Sequence, residues 1–147
     1  MHSTIKRGIL AFAAVLALGA VPAAFAADGG TKAAKQHMVM QVSDGDPARW
    51  NLAFNNLKNV QAELGRDNVD LEVVAYGPGI AMLKMDSAVG NRVSEAVKNG
   101  IRVVACQNTM HGQKLTKADM LPTIGYVKAG VVELIEKQRE GWAYIRP

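Results

Sequence analysis

Short apolar runs alternate along the chain with longer segments in which apolar residues recur every three or four positions. Three clear runs lie at 37–42, 69–75 and 101–105, and two weaker ones at 124–127 and 142–145. Runs of this kind are typical of strands buried on both faces of a parallel sheet, whereas half-exposed strands alternate apolar and polar residues. The pattern therefore predicts an α/β domain whose sheet carries helices on both faces.

Three longer helices are predicted between these strands, and a further helix start at 116–119 is closed by Pro122. The first begins with Asp46 as the N-cap and Pro47 in the first position, and it ends at Gly65. Its inward stripe comprises Trp50, Ala53, Phe54, Leu57, Val60 and Leu64. The second begins at Asp86 or Ser87 and runs to Asn99. The third spans 129–139, with Val131, Val132, Leu134 and Ile135 facing inward. Residues 80–85 fit either a helical turn or an extended segment, and one helical turn is expected within 107–115.

The N-terminal segment has the three-part layout of a secretory signal peptide. Lys6 and Arg7 precede an apolar stretch at 8–21, and Ala24-Phe25-Ala26 offers a cleavage site before Ala27. The apolar stretch is shorter than the roughly 20 residues that span a bilayer. We therefore expect a signal peptide at 1–26, a flexible leader at 27–36 and a folded domain at 37–147. The mature chain is then periplasmic and not bound to the membrane.

Cleavage changes the interpretation of the charge. The full chain has 17 basic and 13 acidic residues. Loss of Lys6 and Arg7 leaves a net charge of about +2. Since no basic run is interleaved with aromatic residues, nucleic acid is not an expected partner.

The chain contains a single cysteine, Cys106, at the end of the third predicted strand. An exported protein enters an oxidising compartment, where an unpaired thiol is either intermolecular or reactive. Ligands of open parallel sheets bind beyond the carboxyl ends of the strands. Three loops are predicted at that edge: 43–46, 76–79 and 106–109.

Two interpretations of Cys106 remain open from its position. A helical turn that begins near Asn108 or Thr109 would direct amide groups at the sulfur, lower the thiol pKa and favour the nucleophilic thiolate. Alternatively, Cys106 closes an apolar run and packs as a small hydrophobic side chain.

Other chemistries have weaker support in the sequence. Gly77-Pro78-Gly79 lacks both the GxGxxG spacing and the Walker lysine of nucleotide sites. Copper would suit Cys106 with Met110 and His111, but a blue-copper site needs a second histidine, and the only other one in the mature chain is His37, at the opposite end of the sheet. No metal or organic cofactor is predicted.

Several stretches resemble exported members of the DsrE/DsrF-like sulfur-relay family: QVSDGDPARWNLAFNNLKNVQAELG, LEVVAYGPGIAML, GIRVVACQNTM and GVVELIEKQREGWAYIRP. The resemblance covers 37–147. It implies a three-layer α/β/α fold with a mainly parallel five-stranded sheet, and homo- or hetero-oligomers, often trimers or hexamers.

The resemblance also implies a function. Family members carry sulfane sulfur as a persulfide on a cysteine after a central strand, the place that Cys106 occupies. On this hypothesis Cys106 exchanges sulfur with small sulfur compounds or thiol proteins, and the surrounding loops contribute Asp44, Tyr76, Gly77, Gly79, Asn108 and Thr109. The well-studied relay proteins are cytoplasmic, so their partners do not carry over to a chain with an export signal. The alternatives are a non-catalytic assembly module with a structural cysteine and a soft-metal carrier.

Overall fold

Five parallel strands form the central sheet of the computed structural model, which describes residues 34–147. The strands are β1 (Gln36–Val42), β2 (Val69–Ala75), β3 (Arg102–Cys106), β4 (Gly125–Val127) and β5 (Ala143–Ile145). Their order in the sheet is β4-β3-β2-β1-β5, and each neighbouring pair is parallel. The predicted signal peptide and most of the predicted leader lie outside the described residues.

Four α-helices connect the strands: α1 (Pro47–Leu64), α2 (Gly90–Lys98), α3 (Gln107–Gly112) and α4 (Gly130–Arg139). Asp46 caps α1 as predicted, because its Oδ1 accepts a hydrogen bond from the Ala48 amide at 2.8 Å. Residues Gly77–Leu83 form a 3₁₀ helix, which resolves the ambiguity at 80–85. Helix α2 begins at Gly90, later than the predicted start at Asp86 or Ser87.

The described helices cover both faces of the sheet. Helices α1 and α2 pack on one face and bury the larger core, which includes Phe54, Leu57, Met40 and Val103. Helix α4 packs on the other face over a smaller cluster: Val39, Val74, Val104, Val127 and Leu134. These layers confirm the predicted α/β/α fold.

The buried face of α4 is narrower than the sequence predicts. Leu134 is buried, but Val131, Val132 and Ile135 are each about half exposed. The apolar cluster beneath α4 is small, so the helix buries only a narrow stripe that contains Gly130 and Leu134. Leu64, at the end of α1, is likewise exposed rather than inward.

None of the helices within residues 34–147 has the length and apolar character needed to cross a membrane.

Candidate functional site at the carboxyl edge of the sheet

Cys106 is the last residue of β3 and directly precedes α3. In the strand register Ala105 lies beside Ala75, and Cys106 lies beside Val127. The loop after β2 therefore flanks the cysteine on one side, and the loop after β4 flanks it on the other. Cys106 also follows Val104 at a two-residue interval, so both side chains point to the sheet face covered by α4.

The environment of the sulfur favours the thiolate. Burial raises the pKa of Cys106, whose exposed fraction is 5%. Donor groups near the sulfur, namely the Thr109 hydroxyl and the amides of Gly130, Thr109 and Asn108, lower the pKa and outweigh the effect of burial. The pKa consequently lies below the ordinary value of 9.0, because donors that point at an anion stabilise it.

The orientation of Thr109 depends on the glycine turn after β2. The Gly77 amide donates a hydrogen bond to Thr109 Oγ1 at 3.0 Å. With its oxygen accepting from Gly77, the hydroxyl is free to donate its proton to the sulfur. Gly77 has a φ of +54°, a backbone conformation that glycine adopts without steric cost.

Helix α4 reaches the sulfur because Gly130 has no side chain. A Cβ atom at Gly130 would lie 3.2 Å from atoms of Tyr76 and Val74, which is closer than ordinary packing allows. The absence of that atom permits the first turn of α4 to approach β2 and β3. The Gly130 amide, one of the unpaired donors at a helix start, is then available to Cys106.

The structure brings together four of the predicted site residues. Gly77, Asn108 and Thr109 contribute to the surroundings of Cys106 through the contacts described above, and Tyr76 packs against Gly130. The Asn108 amide also donates to the Lys128 carbonyl at 3.1 Å, so it is shared between the sheet edge and the sulfur.

Two other predicted site residues lie elsewhere. Gly79 is buried against the end of β1, where an added Cβ would come within 2.3 Å of the Val42 carbonyl oxygen. Asp44 follows β1, roughly 10 Å from Cys106 across two strand spacings. Its carboxylate lies 3.6 Å from Arg146, and its carbonyl accepts a hydrogen bond from the Trp50 indole at 2.7 Å.

The sequence alone did not identify Lys128, in the loop after β4, or Gly130, the first residue of α4, as part of the site. The chain does carry a signal for them, because a weak strand followed by a helix start places another loop at the carboxyl edge. The missing information was that β4 is the neighbour of β3.

An open cavity of about 400 Å³ lies beside α3, and its lining includes Gln107 and Asn108, the two residues that follow Cys106. Its polar lining consists of Gln107, Asn108, His111, Thr116, Lys117 and Lys128. No aspartate or glutamate lines it, so the cavity has a positive charge. A second cavity of about 300 Å³ lies between α1 and α2 and is lined by residues such as Phe54 and Arg92, with no cysteine, serine or threonine in its lining.

The described residues offer no ready metal centre. Within 34–147 no three or more histidine, cysteine or acidic side chains are arranged to hold a metal ion. His37 lies near the start of β1, beside Asp70 and Trp142, whereas Cys106 ends β3. Since the strands are parallel, the two residues lie at opposite edges of the sheet.

The fold and the site together define a class of protein, namely a parallel α/β domain with a thiolate-stabilising cysteine at the carboxyl edge of a central strand. The model of the DsrE/DsrF-like family matches residues 14–147, and this chain belongs to that family, a sulfur-relay family. No curated protein sequence matches the chain.

Solved structures agree with this assignment. A protein of unknown function from Methanobacterium thermoautotrophicum, MTH1491, is 36% identical with a TM-score of 0.74, over 77% of this chain and 100% of that one. A conserved protein of unknown function from Bacteroides thetaiotaomicron, BT1422, is 13% identical with a TM-score of 0.63, over 76% and 95% of the two chains. The ychN protein of E. coli is 11% identical with a TM-score of 0.61, over 78% and 99%. The last two show the shared fold alone.

Proposed function

We propose that this protein carries sulfane sulfur as a persulfide on Cys106. The observation that carries the proposal is the set of donors around the sulfur, which come from Thr109, Asn108 and Gly130 and lower the thiol pKa despite burial. Membership of a sulfur-relay family makes sulfur the expected cargo.

The loading step is a thiolate displacement. The Cys106 thiolate attacks the outer sulfur of a donor R–S–SH, the new S–S bond forms on Cys106, and the donor leaves as R–S⁻. With thiosulfate, the thiolate attacks the sulfane sulfur and sulfite leaves with the bonding electrons. Neither reaction needs an external oxidant. The donors that stabilise the thiolate also stabilise the persulfide anion, and an acceptor thiolate removes the sulfur by the same displacement.

The charge of the cavity beside α3 suits an anionic donor. Lys117 and Lys128 line it without an acidic neighbour in the lining, and a cleft of one charge raises the local concentration of ions of opposite charge. We therefore expect small anionic persulfides or thiosulfate to load Cys106 more readily than neutral donors.

Export and assembly are part of the same proposal. The signal-like segment at 1–26 supports a periplasmic protein. The exposed apolar residues Val131, Val132 and Ile135 on α4 support a homo-oligomer in which a second copy of the chain covers that stripe. The N-terminus of the protein recovered from the periplasm should be Ala27, and recovery of the uncleaved chain from the cytoplasm would contradict export.

Mass spectrometry tests the sulfur cargo. Protein incubated with thiosulfate or a small persulfide should gain the mass of one sulfur atom, and peptide mapping should locate it on Cys106. The Thr109→Val variant should take up sulfur more slowly, and the Cys106→Ser variant should show no gain in mass. Failure of the native chain to gain sulfur from several donors would reject the proposal.

A non-catalytic assembly module is the second candidate, and the 5% exposure of Cys106 favours it. Thiol-reagent kinetics on the folded protein separates the two functions. A carrier should react with iodoacetamide under native conditions, faster than the unfolded chain at the same pH below 7. A thiol that reacts only after unfolding would favour the assembly role.

A further inference from the structure

A fully buried carboxyl group lies in the middle of β2, beneath α4. The side chain of Glu72 has no exposed surface. Its Oε2 accepts a hydrogen bond from Arg102 Nη1 at 2.8 Å. Its Oε1 has no hydrogen-bond donor among the described residues, although an unpartnered buried oxygen is costly.

A second carboxyl group faces Glu72 from α4. Glu133 is 15% exposed, lies within hydrogen-bonding reach of Glu72, and also approaches Arg102 Nη1 at 3.3 Å. Two carboxyl groups therefore share one guanidinium group. Lys137 is the next cation along α4, but its ammonium pairs with Glu140 at 2.9 Å.

The neighbouring strands supply no further donor. On β1, Val39 is the register partner of Glu72. Asp70, two residues earlier on β2, pairs with Lys35 and His37. The charged groups around Glu72 are thus Arg102 from β3 with Glu133 and Lys137 from α4, which leaves an excess negative charge if both carboxyl groups ionise.

We propose that Glu72 and Glu133 share one proton and, with Arg102, form a latch that holds α4 on the sheet and positions the Gly130 amide at Cys106. The shared proton gives Glu72 Oε1 a partner and removes the excess charge. Burial chiefly raises the pKa of Glu72, to about 7; Arg102 opposes this shift and Glu133 reinforces it. The proton is consequently lost near neutral pH.

The latch is connected to the thiol through one helix and one sheet face. Gly130 lies one turn before Glu133 on α4. One face of β3, the face covered by α4, carries the side chains of Arg102, Val104 and Cys106, because every second residue of a strand points to the same side. When the proton is lost, the two carboxylates repel each other, the first turn of α4 moves away from the sheet, and Cys106 loses the Gly130 donor and becomes more exposed. Glu72 is thus a positioning residue.

The latch itself does not require sulfur carriage, but a pH-dependent rate of sulfur loading rests on the proposed function. Infrared spectroscopy and hydrogen exchange of the α4 amides test the latch without any sulfur donor. The native chain should show a protonated carboxyl band at pH 6 that disappears by pH 8. After correction for the intrinsic exchange rate, protection of the Gly130 and Glu133 amides, which face Cys106 and the Ala129 carbonyl respectively, should fall severalfold over the same range.

Matched variants make the test specific. Glu72→Gln and Glu133→Gln should each remove the infrared band and make protection insensitive to pH, whereas the exposed Glu63→Gln should behave as the native chain. If Glu72→Gln does not fold, Glu133→Gln provides the same test. Absence of the band at pH 6 in the native chain, or the same pH dependence in the folded variants, would overturn the latch. Cys106→Ser should keep both signals, so a failure of sulfur loading is distinguishable from a failure of the latch.

Discussion

The backbone amide of Gly77 donates a hydrogen bond to Thr109 Oγ1 at 3.0 Å. This contact joins the turn after β2 to the helix that follows Cys106, although 32 residues separate the two in sequence. It leaves the Thr109 hydroxyl proton available to the sulfur. The reactivity of Cys106 therefore depends on a side chain whose orientation is set by a neighbouring strand's loop.

Thr109→Val should slow the reaction of Cys106 with iodoacetamide at a pH below the thiol pKa. The variant keeps the shape of the side chain but removes the donor to the thiolate. A hydrogen bond to a charged group contributes roughly 1.5–3 kcal/mol, so we expect a decrease of about tenfold or more. Alkylation rates measured from pH 5 to 9 provide the check. Thr109→Ser keeps the hydroxyl and should retain most of the native rate; equal loss in both variants would show that packing, not the donor, is responsible.

Gly79→Ala should destabilise the fold without acting directly on the thiol. Its new Cβ would lie 2.3 Å from the Val42 carbonyl oxygen, and the backbone must shift to admit it. We expect the free energy of unfolding to fall by about 2 kcal/mol or more, as for overpacked cores. Urea denaturation measures it. Gly112→Ala is the control, because no atom lies within 4 Å of its added Cβ; an equal loss there would contradict the steric explanation.

The strands and α1 could be predicted because their signals are local. The apolar run of β2 and the Asp46-Pro47 start of α1 depend on residues next to each other in sequence. The environment of Cys106 depends instead on which strands are neighbours. β4 is only three residues long, and its pairing with β3 brings Gly130 to a cysteine 24 positions away. No periodicity in the chain encodes that pairing.

The error on α4 has a related cause. Four apolar residues within 131–135 exceed what one stripe of a helix can bury against a small sheet face. Periodicity alone could not select Leu134 over Val131, Val132 and Ile135. The choice depends on Gly130, whose missing side chain determines how closely α4 approaches β2.

Substitution of Ile135 by lysine should weaken self-association. Residues three and four apart on a helix share a face, so Val131, Val132 and Ile135 form one exposed apolar stripe. A charge placed in its centre costs free energy when a second copy covers it. Sedimentation velocity should show the native oligomer shifting towards monomer. Leu52→Lys, at an exposed position on α1, is the matched control; a native chain that is monomeric at all concentrations would contradict the proposed assembly.

Glu72 should make the stability of the native chain fall as pH rises towards neutrality. Its pKa is raised from 4.5 to about 7 in the folded state, so between these values the folded chain binds more protons than the unfolded chain. Its favourable contribution is complete below about pH 4.5 and is lost as pH rises through 7. At 1.36 kcal/mol per pKa unit, the loss is on the order of 3 kcal/mol.

Urea unfolding at pH 5, 6, 7 and 8 measures this loss of stability. The stability difference between the native chain and Glu72→Gln should decrease from pH 5 to 7 and level off towards pH 8, because glutamine does not titrate. Glu63→Gln, an exposed control, should track the native chain at every pH. If the stability difference stays constant or grows as pH rises, Glu72 is already ionised in the folded chain over this range and the shared proton does not exist.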